Sequence, residues 1–354
     1  MKPFKRFLLL AVCLFWGLFL GMQPLLANPS TVQAGTCLHG VASFPTITQA
    51  VAGVAPGGTV NVCPGTYAEQ VNIFIPLTLK GVISGNSGRA VISASGANLS
   101  SNVDSIFGDP IVAQVLADAA GTVNISNITV DGLGNNQNNL VDVVGVFCAS
   151  GTSGTVNGVT TRFQTGNGRG YGIWAENGAG SLHSVTIENS YVRDVDNQGI
   201  FIGSNQRPPT LTATVKGNTI AVQGIYDEAA GSVTNNIVAN GFISAGNAAS
   251  NALLSNNITF GLIVVSQFGA TVKFNTIFNS PSDSAIALNS SKATVESNTI
   301  VGAAVGGIAF ACHTGNAVSG NTISDALVGI SRVPSGQSVT NTYFNVQFIR
   351  MGGC

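Results

Sequence analysis

The sequence predicts an all-β chain wound as a parallel β-helix, a solenoid whose short strands stack rung upon rung. Three observations carry this expectation. The string Asn-x-Ile recurs as Asn218-Thr219-Ile220, Asn235-Asn236-Ile237, Asn256-Asn257-Ile258, Asn275-Thr276-Ile277, Asn298-Thr299-Ile300 and Asn321-Thr322-Ile323. Asn189-Ser190-Tyr191 and Asn341-Thr342-Tyr343 are variants, and successive copies lie roughly 17 to 29 residues apart, a solenoid period. A small residue followed by Ile recurs beside them, as Gly172-Ile173, Gly199-Ile200, Gly224-Ile225, Ala285-Ile286, Gly307-Ile308 and Gly329-Ile330. The composition, with 44 Gly and only 8% charged residues, suits short strands joined by corners where Gly and Asn accept positive φ cheaply.

At the N-terminus, Lys2, Lys5 and Arg6 precede an apolar run from Phe7 to Leu20, and Leu25-Leu26-Ala27 offers a small residue before Asn28. This pattern is expected of a signal peptide over 1–27. No later segment carries a long apolar run free of Gly, Asn or Ser, so no membrane span is expected in the mature chain. Residues 28–354 are expected to form one domain, with a cap over about 37–58 and coils over about 59–350. The 14 basic residues nearly balance the 15 acidic ones, which excludes the clustered cationic surface that nucleic acid requires.

Within the cap, Phe44 to Ala55 reads as an amphipathic helix with Ile47, Ala50, Val51 and Val54 on one face, ended by Gly57-Gly58. Thr59 to Cys63, then Val71 to Ile73, then Leu77 to Leu79 are short strands with sharp corners and no hairpin signature, which makes them one rung. The helix is expected to cover that rung, because a bare terminal rung exposes apolar cross-section and unpaired backbone. Ala90 to Ile92 reads as a further strand, and Ser105 to Leu116, with Gly108-Asp109-Pro110, as a loop leaving the helix. Cys37 and Cys63 flank one short element and are the expected disulfide pair. Cys312 with Cys354 is a second possible pairing, and Cys148 reads as a buried small hydrophobe.

Phe44-Pro45-Thr46-Ile47-Thr48-Gln49-Ala50-Val51, Cys63-Pro64-Gly65-Thr66-Tyr67-Ala68-Glu69 and Leu77-Thr78-Leu79-Lys80-Gly81 resemble the opening of secreted right-handed β-helix proteins of the pectin lyase-like superfamily. The resemblance implies a single-stranded right-handed helix and a secreted, periplasmic or cell-surface location. It leaves activity open, because one fold hosts many functions. Pectinesterases share the Gly65-Thr66-Tyr67-Ala68-Glu69 opening, but Asp104-Ser105-Ile106-Phe107-Gly108 follows too soon to be their catalytic motif. No Gln-Asp dipeptide or Arg-Pro-Trp follows. His39, His183 and His313 sit in no polygalacturonase-like or zinc-ligand motif.

Strand alternation assigns the candidate site. If Ile173 and Ala175 face inward, Trp174 and Glu176 face outward, and the same parity places Phe201, Tyr226 and Glu228 outside. Trp174, Phe201 and Tyr226 are therefore the candidate ligand-binding column, a strip on which sugar rings stack. Glu176 and Glu228, with Asp194 and Asp196 in the charge-rich turn near Arg193, Arg207 and Asp227, are the candidate catalytic carboxylates. No cofactor is expected: lyases of this fold hold Ca²⁺ with acidic residues, but Asp194 and Asp196 alone are too few ligands, and a solvated turn with Arg193 paired to an acid is the favoured reading, with Ca²⁺ the alternative. Two functions fit: a non-catalytic protein binding polysaccharide along its rungs, or a lyase or glycosidase acting on an acidic polysaccharide such as pectin.

Overall fold

The structure, a computed structural model, describes residues 28–83, 88–135, 141–246, 252–266, 268–281 and 284–354. The expected signal peptide lies outside them. Among the described residues, no helix is long and apolar enough to cross a membrane. The chain is a right-handed parallel β-helix in which three ladders of strands run the length of the solenoid. The first ladder passes from Thr31–Ala34 through Thr59–Val62, Leu77–Gly81 and Gly121–Ser126 onward. The second begins at Gly65–Tyr67, and the third at Val71–Ile73, pairing next with Pro110–Ala117 and Asp142–Cys148.

Register explains the core. Val60, Leu79, Ile125, Val156, Ile187 and Val215 pair in succession up the first ladder, so each rung drops one aliphatic side chain onto the last. All six are 0–1% exposed, and burying each contributes about 1.5–3 kcal/mol.

The corner between the first and second ladders carries an asparagine ladder. The side-chain amide of Asn218 donates to Asn236 Oδ1, that of Asn236 to Asn257, and that of Asn257 to Asn275, each at 3.0 Å. Asn275, Asn298 and Asn321 continue it to Asn341. Two copies of the string are shifted by one residue from the sequence reading. The ladder uses Asn236 and Asn257, whereas Asn235 and Asn256 turn the corner at φ 57° and 54°. Ile237 and Ile258 consequently face solvent, at 41% and 38% exposure, and Val238 and Thr259 take the inward place. At the variant copy, Ser190 holds the ladder position and its N–H donates to Asn218. Asn257 of the Asn257-Ile258-Thr259 sequon is wholly buried.

The N-terminal cap is held by the opening motif itself. Helix α1 (Ile47–Gly53) buries Ile47, Ala50 and Val51 and is N-capped by Thr46, whose hydroxyl accepts from Gln49 N. Glu69 accepts from the backbone N–H groups of Ile47 and Thr48 at 2.8 and 2.9 Å, neutralising the donors that a helix start leaves open. The Tyr67 hydroxyl donates to the Ala34 and Cys63 carbonyls. Cys37–Cys63 ties the cap to the first ladder, and Cys312–Cys354 ties the last rungs together. Cys148 is free and buried, and burial pushes its thiol up to about 12.

One segment corrects the loop expected over 105–116. Pro110–Ala117 is a fully incorporated strand, paired in parallel on both sides and almost wholly buried. The excursion precedes it. Val103–Asp104 folds back antiparallel on Pro110–Ala117, the one antiparallel pairing among the described strands. The resulting flap lies over the outer face of the third ladder.

Candidate functional site

The outer face of the third ladder carries a continuous column. Leu116, Phe147, Trp174, Phe201 and Tyr226 pair in order, so the expected register of the three aromatics holds and extends two rungs further. Ile173 and Ala175 lie in the solenoid core, as parity requires, and Trp174 lies on the other side.

Trp174 is nevertheless not on the surface. It is 2% exposed, packed with Ile111, Leu116, Val144 and Phe147 in a second apolar cluster outside the solenoid. The flap covers it. Phe147 and Phe201 meet its ring edge-on at 5.5 and 4.7 Å, and Tyr171 lies 4.6 Å away. Glu176 is covered too, at 1% exposure, and its Oε1 accepts from the flap's Ile106 N–H at 2.9 Å. Desolvation pushes Glu176 up to about 7 despite that hydrogen bond and the nearby Trp174 indole. No sequence signal announced the flap beyond its Gly108-Asp109-Pro110 turn.

What stays open is a cleft of about 340 Å³ beside the flap. Phe107, Tyr171, Phe201 and Tyr226 give it aromatic walls, with the edge of the almost wholly buried Trp174 at its inner end, and Asp109, Asp142, Asn197, Gln198 and Glu228 give it polar ones. Phe201 and Tyr226 are half-buried and stack face to face, with centroids 5.5 Å apart and planes 8° apart. Phe107 closes one side, edge-on to Phe201 at 6.2 Å. Sequence reasoning missed Tyr171, Asn197 and Gln198. Tyr171 sits three residues before Trp174 on the same strand, and Gln198 is its partner one rung on. Asp109 and Asp142 were missed because only the fold brings them to the aromatic column.

The cleft is acidic. Burial pushes Asp142 up to about 6, with Asp109 adding to the rise and Arg169 opposing it. Arg169 lies 3.4 Å from Asp142 and 3.9 Å from Asp109. Glu228 is raised by burial, opposed by the Tyr226 hydroxyl that donates to it at 3.2 Å, by the Ser204 backbone and by Arg207.

Asp194 and Asp196 serve other contacts. Asp194 pairs with Arg193, whose guanidinium lies over Phe163. Asp196 accepts backbone N–H groups of Gly166, Gly168 and Gly170 at 2.6–3.0 Å and so clamps the turn leading into the Tyr171 strand. Their carboxylates thus do not gather on one point where Ca²⁺ would find its six to eight oxygens. Among the described residues, no three His, Cys, Asp or Glu side chains are grouped to hold a metal ion.

The profile of the family described as "Periplasmic copper-binding protein (NosD)" matches residues 244–352. No curated protein matches the chain. A solved structure, the GH136 lacto-N-biosidase from Eubacterium ramulus, aligns over 84% of this chain with a TM-score of 0.50 and 13% identity. This chain spans 62% of that protein's length.

Copper prefers imidazole, thiolate or thioether donors. In the matched stretch the only histidine is His313, Cys312 is bound to Cys354, and Met351 stands exposed on the final strand. These residues do not fit a copper site. What the chain shares with its relatives is architecture: it has the right-handed parallel β-helix fold of the pectin lyase-like type.

Proposed function

We propose that this is an exported, single-domain β-helix protein that binds a neutral glycan on the outer face of its third ladder. The carrying observation is the Phe201–Tyr226 stack, half-exposed on a cleft floor and bordered by hydrogen-bonding side chains. Aromatic faces take up the apolar faces of sugar rings, and Glu228, Asn197 and Gln198 supply partners for hydroxyls. Charge selects the sugar. Three carboxylates line the cleft, and the neighbouring Arg169 is already held by two of them. A polyuronate would meet like charge there, so the reading disfavours pectin and favours an uncharged or amino sugar. The fold match to a protein named lacto-N-biosidase supports a glycan ligand. Two disulfides, the N-terminal signal pattern and the periplasmic description of the matched family support export.

A second reading rests on Asp142. A carboxyl held up to about 6 beside a cleft that also contains Glu228 is the pairing of acid and acceptor that glycosidases use. One experiment separates the two. The protein is titrated against a panel of neutral and uronate oligosaccharides by calorimetry, and the same mixtures are assayed for new reducing or unsaturated ends. Saturable binding of a neutral glycan without cleavage supports the binding reading. Cleavage abolished by Asp142→Asn supports the enzyme reading, and preference for polyuronates overturns the charge argument.

A further inference from the structure

Beneath the flap, a buried donor and a buried acceptor lie close together and neither is properly satisfied. Trp174 Nε1 and Glu176 Oε2 are both buried and neither has a hydrogen-bond partner. The Trp174 indole acts on the Glu176 carboxyl as a hydrogen-bonding neighbour and offsets part of its rise, so the two groups lie close, in a geometry too poor to satisfy either. Leaving such groups unsatisfied is costly, and native proteins keep few of them. They belong to the same outward face as Phe201 and Tyr226, one rung earlier.

The cover over them is joined to the solenoid by a small set of contacts, most of them at its base. Two residues pair antiparallel at its base, Val103 with Ile111 and Asp104 with Pro110. Asn102 adds side-chain hydrogen bonds to Ala113 and Asn72 at the base, and the tip is held by the Ile106 N–H to Glu176, by a 3.4 Å contact from Asn205 to the Ile106 carbonyl, by Asp109 at 3.9 Å from Arg169, and by the Phe107 ring against Phe201. Gly108 turns the tip at φ 89°, and the Phe107 side chain remains 46% exposed.

We propose that the flap is a lid over a further sugar subsite, in which Trp174 and Glu176 contact the glycan once the lid lifts. This rests on the glycan-binding reading and extends it by one rung. In the lifted state the Trp174 ring continues the Phe201–Tyr226 floor. A sugar hydroxyl then fits between the two unmet groups, accepting from the indole N–H and donating to the carboxylate. The ligand is accordingly longer than the open cleft alone accommodates, with one ring on Phe201 and Tyr226 and the next on Trp174.

The test uses the chain from residue 28 and the neutral oligosaccharide that binds best in the panel, as its monosaccharide unit and as its hexasaccharide. Trp174 is the sole tryptophan in that chain, so acrylamide quenching of its fluorescence reads the lid directly. Ile106→Pro removes the N–H that holds Glu176, whereas Ile106→Ala keeps it. The proposal expects quenching of the free protein to rise in Ile106→Pro and not in Ile106→Ala. It expects Trp174→Phe, which keeps an aromatic but loses the donor, to weaken hexasaccharide binding on the order of fivefold and leave binding of the monosaccharide, which covers only Phe201 and Tyr226, unchanged. Hydrogen exchange at 103–108 should quicken when the hexasaccharide binds. Wild-type affinity of Trp174→Phe for the hexasaccharide, with exchange of the flap unaltered by ligand, overturns the lid. Binding that is indifferent to Tyr226→Ala overturns the underlying reading instead.

Discussion

Asn298 Oδ1 accepts two hydrogen bonds from Asn275, one from its backbone N–H at 3.0 Å and one from its side-chain amide at 2.9 Å. Asn298 in turn donates to the Val272 carbonyl and to Asn321. Each rung's corner is therefore satisfied by the next, where a strand ladder alone would leave the corner amides unmet. Asn298→Ala strands two donors on Asn275 and should cost about 1–3 kcal/mol, read as a lowered urea midpoint. Thr299→Ala, on the exposed side of the same corner, should change stability by less than about 0.5 kcal/mol.

The two disulfides fasten the two ends of the solenoid. In the chain from residue 28, alkylation without reductant should leave Cys37, Cys63, Cys312 and Cys354 unmodified. Cys148 should react only after denaturation, because its thiol is buried. Replacing Cys37 and Cys63 together by Ser should lower stability by roughly 2–4 kcal/mol. Mass spectrometry and chemical denaturation check both statements.

Trp174 and Tyr226 share a column but should respond differently to truncation. Trp174 is almost wholly buried in the second apolar cluster, so Trp174→Ala should destabilise the fold by about 3–5 kcal/mol. Tyr226 is half-buried on the cleft floor. Tyr226→Ala should leave the melting temperature within a few degrees of wild type and lower glycan affinity about tenfold or more. Paired melting and calorimetric titration distinguish the two roles.

Burial of carboxyls sets the pH dependence of stability. Glu176 and Asp227 are pushed up to about 7 and Asp142 to about 6, each mainly by desolvation. In the unfolded chain they return to the ordinary carboxylate range near 4. Between about pH 4 and 7 the folded state thus binds more protons than the unfolded one, so stability falls as pH rises through that window and levels off above it. The melting temperature should be higher at pH 5 than at pH 8, and Glu176→Gln should shrink the difference.

The solenoid was legible because its information is local and repeated. Asn298 and Ile300 announce the inward positions of a corner in three residues, and the parity that put Trp174, Phe201 and Tyr226 on one outer face follows from strand alternation alone. The one-residue error at Asn235 and Asn256 arose where two asparagines are adjacent. Either can turn a corner, and only the stacking on Asn218 and Asn275 decides which one enters the ladder. The site was less legible. The burial of Trp174 and Glu176 depends on a flap returning from Ile106, distant by 70 residues from the carboxylate it meets. Asp142 and Glu228 border one cleft only because their rungs stack. Asp196, an acidic residue in a charged turn, looked like a ligand and proves to be a clamp on three backbone amides.

The most direct measurement of the central claim is calorimetric titration of wild type and a Phe201→Ala/Tyr226→Ala double variant with neutral oligosaccharides. Saturable binding by wild type and its loss in a variant that is less stable, because Phe201 packs on Trp174, yet still cooperatively folded at the titration temperature is the expected result. Absence of binding to any neutral glycan, or undiminished binding by the variant, would contradict it.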